Sequence, residues 1–253
     1  MEISIIAEKL FSIAGFSVTN SLLIAVFVAV LLALSTVFST RNPKQVPRGM
    51  QNVIETVFEG LLSFIESITH DRKQARDFFP LVATIFLFVL FSNWSGLLPG
   101  AGTVGLNEEH AGRIIMVPFL RGPAADLNMT VALSLISVFS VQIFGILALG
   151  IRGYASKFLV APWKKPYVIG MVVGLLELIG EFAKILSFSF RLFGNVFAGE
   201  VLLTVMLSLV PYLVPLPFLL LEVFVGVVQA AVFSLLTIVF LKMAVTGHEE
   251  GAH

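Results

Sequence analysis

Long apolar stretches with almost no charged residues are the feature that most limits how this chain can fold. Residues 20–40, 78–98 and 128–151 are each about 20 residues long, enough for one helix to cross the ~30 Å hydrocarbon core of a bilayer. Two longer stretches follow at 167–210 and 213–243. Charged residues make up 13% of the chain, about half of their usual share in a soluble domain. The sequence therefore predicts an all-α polytopic membrane protein with five membrane segments.

Basic residues predict the orientation of this single membrane domain, which we expect to cover residues 1–253. With five crossings, eleven of the 16 Lys and Arg residues fall on one side of the membrane and three on the other. The eleven are Arg41, Lys44, Arg48, Arg72, Lys73, Arg76, Arg152, Lys157, Lys164, Lys165 and Lys242. Because an excess of Lys and Arg marks the cytoplasmic side, the N-terminus is expected outside and the C-terminus in the cytoplasm. Residues 1–9 are unlike a signal or transit peptide, which favours synthesis in the compartment whose membrane the chain enters.

Residues 51–70 have the pattern of an amphipathic surface helix. One face is apolar and consists of Ile54, Val57, Phe58, Leu61, Ile65 and Ile68. The opposite face carries Glu55, Glu59 and Glu66, whereas a helix that binds anionic lipid is usually basic on its polar face. We therefore expect this helix to dock on protein or to lie at the surface without electrostatic attraction. A solvated amphipathic helix is an equally open alternative.

The last two segments are too long to cross the membrane upright. The 44 residues of 167–210 would make about 65 Å of helix, twice the thickness of the hydrocarbon core. Such a helix must break or tilt far beyond the usual ~20°. We predict that 167–210 and 213–243 form a long, strongly tilted antiparallel helical hairpin, closed by a turn rich in proline at Pro211, Pro215 and Pro217.

Arg191 stands alone in the middle of the first of these two segments. Arginine keeps its charge in a protein, so it cannot enter the membrane by losing a proton. A central arginine costs about 2.5–3.5 kcal/mol on insertion scales. That cost is acceptable only where the charge faces a polar path or an acidic partner. Arg191 is therefore predicted to be a functional residue.

Helical spacing predicts the polar partners of Arg191 and of the residues on its outer side. Asn195 follows Arg191 by four residues, which is within reach of the guanidinium group. When the two segments fold back on each other, Gln229 lies at the depth of Arg191, and Glu222 lies at the depth of Glu200. We therefore expect Gln229 to brace Arg191. The two glutamates are expected to form an acidic cluster nearer the outside.

Glu177, Glu181 and Lys184 lie on the cytoplasmic side of Arg191. Glu177 is interpreted as part of an ion path or as a solvated residue near a helix end, while Glu181 and Lys184 have the spacing of an ion pair. Carboxylates on both sides of a fixed cation suit proton transfer, because the cation keeps a nearby carboxylate ionised. Since no second carboxylate of this chain lies beside Arg191, the acid that exchanges protons there is expected to belong to another protein.

Motifs for enzymatic catalysis and for cofactors are missing from the sequence. Gly194 to Glu200 has the glycine spacing of a phosphate-binding loop, but Glu200 stands where that loop requires lysine. There is no cysteine and no basic tract that would suggest nucleic acid. The tail from His248 to His253 contains metal-ligand types, yet it is more typical of a frayed polar end. No cofactor, no metal and no catalytic activity of its own are expected.

The run Arg191-Leu-Phe-Gly-Asn195, followed by Ala198-Gly199-Glu200, resembles subunit a of the rotary F-type ATP synthase, of the bacterial and mitochondrial type. The same resemblance is carried by Pro123-Ala-Ala-Asp126-Leu-Asn128, by the stretch from Asn93 to Gly100 and by Gln229-Ala230. It covers about residues 20–245. The resemblance implies the stator half of a proton channel, which faces a rotating ring of c subunits with one carboxylate each in mid-membrane.

The resemblance also implies a role for each site residue. Arg191 matches the essential arginine that keeps the ring carboxylate ionised and prevents a proton short-circuit. Glu200 and Glu222 match positions that line the half-channel from the outer side, although some members have His in place of Glu222. Asn195 and Gln229 match polar positions beside the arginine, and Glu177 and Ser187 match positions linked to the cytoplasmic exit.

The implied partners are the c-subunit ring, the b-type subunits of the peripheral stalk, the lipid bilayer and, indirectly, the F1 sector. The implied location is the bacterial cell inner membrane or the mitochondrial inner membrane. A self-contained secondary ion transporter is the alternative. It would require inverted repeats and broken helices around a central site, and no repeat relates the first three spans to the last two. A purely structural subunit would not explain the isolated charge of Arg191.

Overall fold

Six α-helices carry the fold in the described part of this computed structural model. The described residues are 7–13, 15–41, 49–98, 105–110, 113–118, 121–158, 167–210 and 214–246. The helices are α1 (Asn20–Thr40), α2 (Met50–Thr69), α3 (Arg72–Ser95), α4 (Leu127–Phe158), α5 (Tyr167–Leu209) and α6 (Pro215–Thr246). All except α2 are long and apolar enough to cross a membrane. This confirms the predicted fold class, an all-α polytopic membrane protein.

Two short antiparallel hairpins are additions that the sequence did not predict. Strand β1 (Lys9–Ile13) pairs with β2 (Phe16–Thr19), and β3 (Gly105–His110) pairs with β4 (Arg113–Pro118). The two strands of each hairpin are close in the sequence, so these segments pair their backbone groups locally without a helix. The Asn20 side chain donates a hydrogen bond from Nδ2 to the Pro118 carbonyl at 3.1 Å. The second hairpin is thereby attached to the first residue of α1.

Helix α2 docks on α3 through its apolar stripe. Ile65 is completely buried in a cluster with Phe78, and the Phe58 ring meets the Phe79 ring edge to face at 5.6 Å. Glu59, on the opposite face, is exposed. Helix α3 starts at Arg72, earlier than the predicted 78, because Asp71 caps it: the Asp71 Oδ1 accepts a hydrogen bond from the Lys73 backbone N–H at 2.8 Å.

Helix α3 lies in the middle of the helical bundle. Its residues Val82 and Val89 are completely buried, and the Phe78 ring packs edge to face against Phe144 of α4 at 5.5 Å. Helix α6 supplies Ile238 to the same cluster of side chains. Because lipid is as apolar as these side chains, close packing rather than escape from water holds such helices together.

Helices α5 and α6 run antiparallel and have the lengths expected for the predicted hairpin. Helix α5 is continuous over 43 residues, and α6 has 32. Pro215 opens α6, whereas Pro211 of the predicted turn and the tail from His248 to His253 lie outside the described residues. The strong tilt that these lengths require stays a prediction.

Candidate functional site

Arg191 lies on the outward face of α5, and its side chain is exposed. The adjoining flank of the helix is covered: Phe188 and Leu192 are each 2% exposed and pack with Ala230 and Phe233 of α6. Packing on one side therefore fixes the helix while the guanidinium group points away from the protein. In a membrane, a cation in that position is costly unless a polar or acidic partner reaches it.

Small side chains continue the outward face of α5 around Arg191. Ser187, Gly194 and Ala198 are exposed and recur at intervals of three and four residues from Arg191, so they lie along one line of the helix. We call Ser187, Arg191, Gly194 and Ala198 the Arg191 stripe. Small residues let a second helix approach closely. The stripe therefore combines one permanent charge with room for a neighbouring backbone.

The hydrogen-bond partner of Arg191 differs from the expected ones. Its Nη2 donates to the Ser187 Oγ at 3.2 Å. Side chains in a helix lean towards its N-terminus, so the guanidinium group reaches back one turn rather than forward to Asn195. The Asn195 Nδ2 is buried without a hydrogen-bond partner, and Gln229 is half-buried on α6. Among the described residues, neither Asn195 nor Gln229 forms a hydrogen bond with Arg191.

Glu200 has a cationic partner that the sequence did not predict. The Nε atom of Arg121, a residue that is 6% exposed, lies 3.8 Å from the Glu200 Oε1. The backbone at Gly122 packs directly against Gly96 at the end of α3, where a Cβ on Gly96 would lie only 3.2 Å from the Gly122 Cα. This close approach brings the neighbouring Arg121 into the bundle. Arg121 is one of the three Lys and Arg residues that the sequence assigns to the side opposite the eleven. The available signal was its place just before Pro123, where the motif that precedes α4 begins.

Glu222 lies at the depth of Glu200, next to Gly199. A Cβ on Gly199 would collide with the Glu222 carboxyl group, so only glycine leaves room for this contact. The contact of Phe188 with Phe233 lies eleven residues before Gly199 on α5 and eleven after Glu222 on α6. Both contacts therefore fit one antiparallel register, which matches the predicted register to within one residue.

Helix α3 holds α6 in place beside Glu222. The Asn93 Nδ2 donates to the Gly226 carbonyl at 3.2 Å, and the Trp94 Nε1 donates to the Val223 carbonyl at 3.2 Å. A Cβ on Gly226 would lie 3.3 Å from the Asn93 Cβ, which is tighter than ordinary contact. The polar end of α3 thus sets the position of the N-terminal half of α6.

Glu181, in the half of α5 that precedes Arg191, forms the expected ion pair with Lys184 and also accepts a hydrogen bond from Gln142, which in turn accepts one from Tyr154. The Lys184 Nζ donates to the Glu181 Oε1 at 2.6 Å, and the Gln142 Nε2 of α4 donates to the Glu181 Oε2 at 2.8 Å. The Tyr154 hydroxyl donates to the Gln142 Oε1. Gln142 and Tyr154 were not predicted, because one amide and one phenol in a long helix show no pairing pattern. Glu177, one turn before Glu181, is half-buried.

The chemistry available to this arrangement is proton exchange rather than bond-making catalysis. Carboxylates lie on both sides of Arg191 along the hairpin, Glu200 and Glu222 towards one end and Glu177 and Glu181 towards the other. In the part of the chain that the structure describes, no group of three or more His, Cys, Asp or Glu residues could hold a metal ion.

Comparison with known proteins identifies relatives over almost the whole chain. Residues 21–242 match the family model described as ATP synthase A chain. The chain is 36% identical over 230 residues to ATP synthase subunit a of Moorella thermoacetica, which covers 90% of this chain and 92% of the relative. It is 38% identical over 237 residues to ATP synthase subunit a of Gloeobacter violaceus, covering 92% and 87%. All the candidate site residues lie inside the matched range.

Proposed function

The chain belongs to the ATP synthase subunit a family, a membrane subunit of that complex rather than a catalytic one, and on that premise we propose how its residues conduct protons. It acts as the stator proton-channel subunit of an F-type ATP synthase. Two aqueous half-channels load and unload protons on the carboxylates of the c ring, and this couples proton flow to rotation and ATP synthesis. The observation that carries the proposal is the outward exposure of Arg191 on a stripe of small residues.

Protons enter from the outer side past Glu222 and Glu200 and reach a ring carboxylate. Once protonated, that carboxyl group is neutral and can move into lipid, where a charged group would cost several kcal/mol. Asn195 and Gln229 serve as polar groups beside the path. The Nδ2 of Asn195 is buried without a partner, which supports a role in binding a water molecule of the path.

Release of the proton takes place on the cytoplasmic side, past Ser187 and Glu177. Arg191 lies between the two half-channels, where it stabilises the ionised ring carboxylate and repels a proton that would cross directly. The hydrogen bond from Arg191 to Ser187 supports this assignment, because it orients the guanidinium group towards the cytoplasmic half of α5.

The proposed partners follow from the surfaces that remain uncovered. The c ring lies against the Arg191 stripe, since only 11% of the most apolar stretch of α5 is buried. The b-type subunits of the peripheral stalk and lipid cover the remaining apolar surface, including Phe27 and Phe38 of α1, which are 59% and 67% exposed. The F1 sector is an indirect partner. The location is a bacterial cell inner membrane or a mitochondrial inner membrane, with the N-terminus outside and the C-terminus in the cytoplasm.

ATP-driven acidification of inverted membrane vesicles tests the proposal. Arg191→Ala is expected to abolish pumping while the complex still assembles, because the gate loses its fixed charge. Arg152→Ala, which removes an exposed arginine of α4, is the matched control and is expected to pump normally. Pumping by Arg191→Ala at nearly the wild-type rate would overturn the proposal. So would ion transport by the purified chain alone in liposomes, the behaviour of a self-contained transporter.

A further inference from the structure

Glu181 accepts hydrogen bonds from donors on two helices. Lys184 donates to one carboxylate oxygen at 2.6 Å and Gln142 of α4 donates to the other at 2.8 Å. Glu181 is only 9% exposed, so these contacts replace solvent. Both carboxylate oxygens are therefore occupied by donors of this chain. The evident effect of Glu181 is on the lysine that it neutralises.

A kink in α4 places Gln142 and Tyr154 where they can support the Glu181 carboxylate. Gly150 has a φ of 73°, which breaks the helix and lets the following residues turn back. The Tyr154 ring then lies on Gly145, where a Cβ would collide with it. The Tyr154 hydroxyl donates to the Gln142 Oε1, so the amide nitrogen of Gln142 must point to Glu181. The orientation of the amide is therefore fixed by its two neighbours.

The backbone position of Lys184 is in line with the Arg191 stripe, but its side chain points away from that stripe. It precedes Arg191 by seven residues and Ser187 by three, so its Cα is in line with the Arg191 stripe. Its side chain is only 23% exposed, however, and its Nζ lies 4.5 Å from the centroid of the Phe240 ring on α6. The ammonium group is thus tucked between α5 and α6, against Glu181.

We infer that Glu181 is a positioning residue that neutralises Lys184 and keeps its ammonium group off the Arg191 stripe, with Gln142 and Tyr154 holding the carboxylate in place. The inference rests on the proposed function, because a second cation matters only if a ring carboxylate passes the stripe. Seven residues of helix separate Lys184 from Arg191 by about 10 Å, and a released lysine side chain can extend several Å along an apolar surface towards polar groups. There it would bind the ionised carboxylate and delay its movement.

Three variants of the complete complex in inverted vesicles test the inference. Glu181→Gln leaves Lys184 without its anion and is expected to lower ATP-driven pumping and passive proton conduction about tenfold. Lys184→Met is expected to pump within about twofold of wild type. The double variant Glu181→Gln/Lys184→Met is expected to return to the rate of Lys184→Met, since the cation that causes the defect is gone. Rates are compared at equal amounts of assembled complex, because loss of one member of a structural ion pair lowers assembly, whereas the inference requires slower pumping by each assembled complex.

The outcomes separate this inference from the proposed function. Wild-type rates in Glu181→Gln overturn the inference, as does a double variant that is as slow as the single one. If Glu181→Gln fails to assemble while the double variant assembles, the pair is structural and the inference is overturned, as it is when both variants fail to assemble. The Arg191→Ala variant reports on the proposed function independently. Loss of pumping there, together with no rescue here, removes only the role of Glu181.

Discussion

Helices α3 and α5 are both long and apolar, yet their surfaces are covered very differently. In α3, 39% of the most apolar stretch is buried, whereas in α5 the share is 11%. The polar residues of α3, such as Asn93, bond to the backbone of α6, while Arg191 of α5 bonds to Ser187 of its own helix and faces outward. The difference teaches that hydrophobicity places a helix in the membrane but does not tell what covers it. Helix α3 supports the fold, and α5 is the helix left open for a partner.

The largest difference in stability between the two helices is expected when one phenylalanine in each is replaced by alanine. Phe78→Ala in α3 removes a ring that is 2% exposed and is expected to lower the free energy of unfolding by about 3 kcal/mol, because a cavity remains. Phe182→Ala in α5 removes a ring that is 62% exposed, so a change within about 0.5 kcal/mol is expected. Thermal unfolding of the purified chain in detergent measures both. Equal destabilisation by the two variants would show that the contrast between the helices is wrong.

The next largest effect on stability is expected for two arginines that differ in burial, Arg121, which lies against Glu200 of α5, and Arg72, which is exposed. Arg121→Gln leaves the Glu200 carboxylate without the cation beside it, and we expect a loss of about 1–2 kcal/mol of stability. The loss is less than for a fully buried pair because the Glu200 side chain is 40% exposed. Pumping is expected to fall as well, since Glu200 lies on the proposed entry path.

Arg72→Gln is the control for Arg121→Gln. Arg72 lies 3.6 Å from Glu66, but its side chain is 64% exposed, so its ion pair is screened and is expected to contribute less than about 0.5 kcal/mol. Unfolding in detergent, followed by pumping in vesicles, compares the two variants. If Arg121→Gln changes neither measurement more than Arg72→Gln does, Arg121 has no special part in holding Glu200.

The fold was predictable from the sequence wherever one local pattern decided the outcome. Apolar length fixed the five membrane helices, and the amphipathic stripe of 51–70 led to a helix whose Ile65 is buried on α3. The hairpins β1–β2 and β3–β4 were missed, because strands of only four to six residues carry too little pattern. The start of α3 was misplaced because the cap at Asp71 extends the helix into charged residues.

Predictability of the candidate site depended on how far apart its residues lie in the chain. Equal depth of Glu200 and Glu222 followed from counting along two helices that are neighbours in sequence. The contact of Glu200 with Arg121 spans about eighty residues and depends on Gly96 and Gly122 meeting backbone to backbone, which no periodicity announces. The bond from Arg191 to Ser187 was missed for a local reason, since spacing alone treats positions four before and four after as equal.

The smallest effects on stability are expected for two glycines of α5, Gly199 on its covered side and Gly180 where nothing lies nearby. They compare covered and open positions within a single helix. Gly199→Ala places a Cβ against the Glu222 carboxyl group, whereas Gly180→Ala meets nothing within 4 Å. Alanine favours a helix over glycine by about 1 kcal/mol, so Gly180→Ala is expected to be neutral or slightly stabilising. In Gly199→Ala the same gain is offset by displacement of a flexible side chain, and the net change is expected to be below about 1 kcal/mol.

Pumping, rather than stability, is expected to separate these two glycine variants. Moving the Glu222 carboxyl group away from Gly199 changes its distance to Glu200, and proton transfer between acids is sensitive to such distances. Gly199→Ala should therefore pump several times more slowly than Gly180→Ala at equal amounts of assembled complex. Equal rates would mean that the carboxyl group relaxes without consequence, and that the glycine serves helix packing alone. If Gly199→Ala is stable but pumps slowly, glycine is required at this position because it allows the Glu222 carboxyl group to lie where it does. The covered side of α5 would then serve pumping as well as packing, while the side that carries Arg191 stays open.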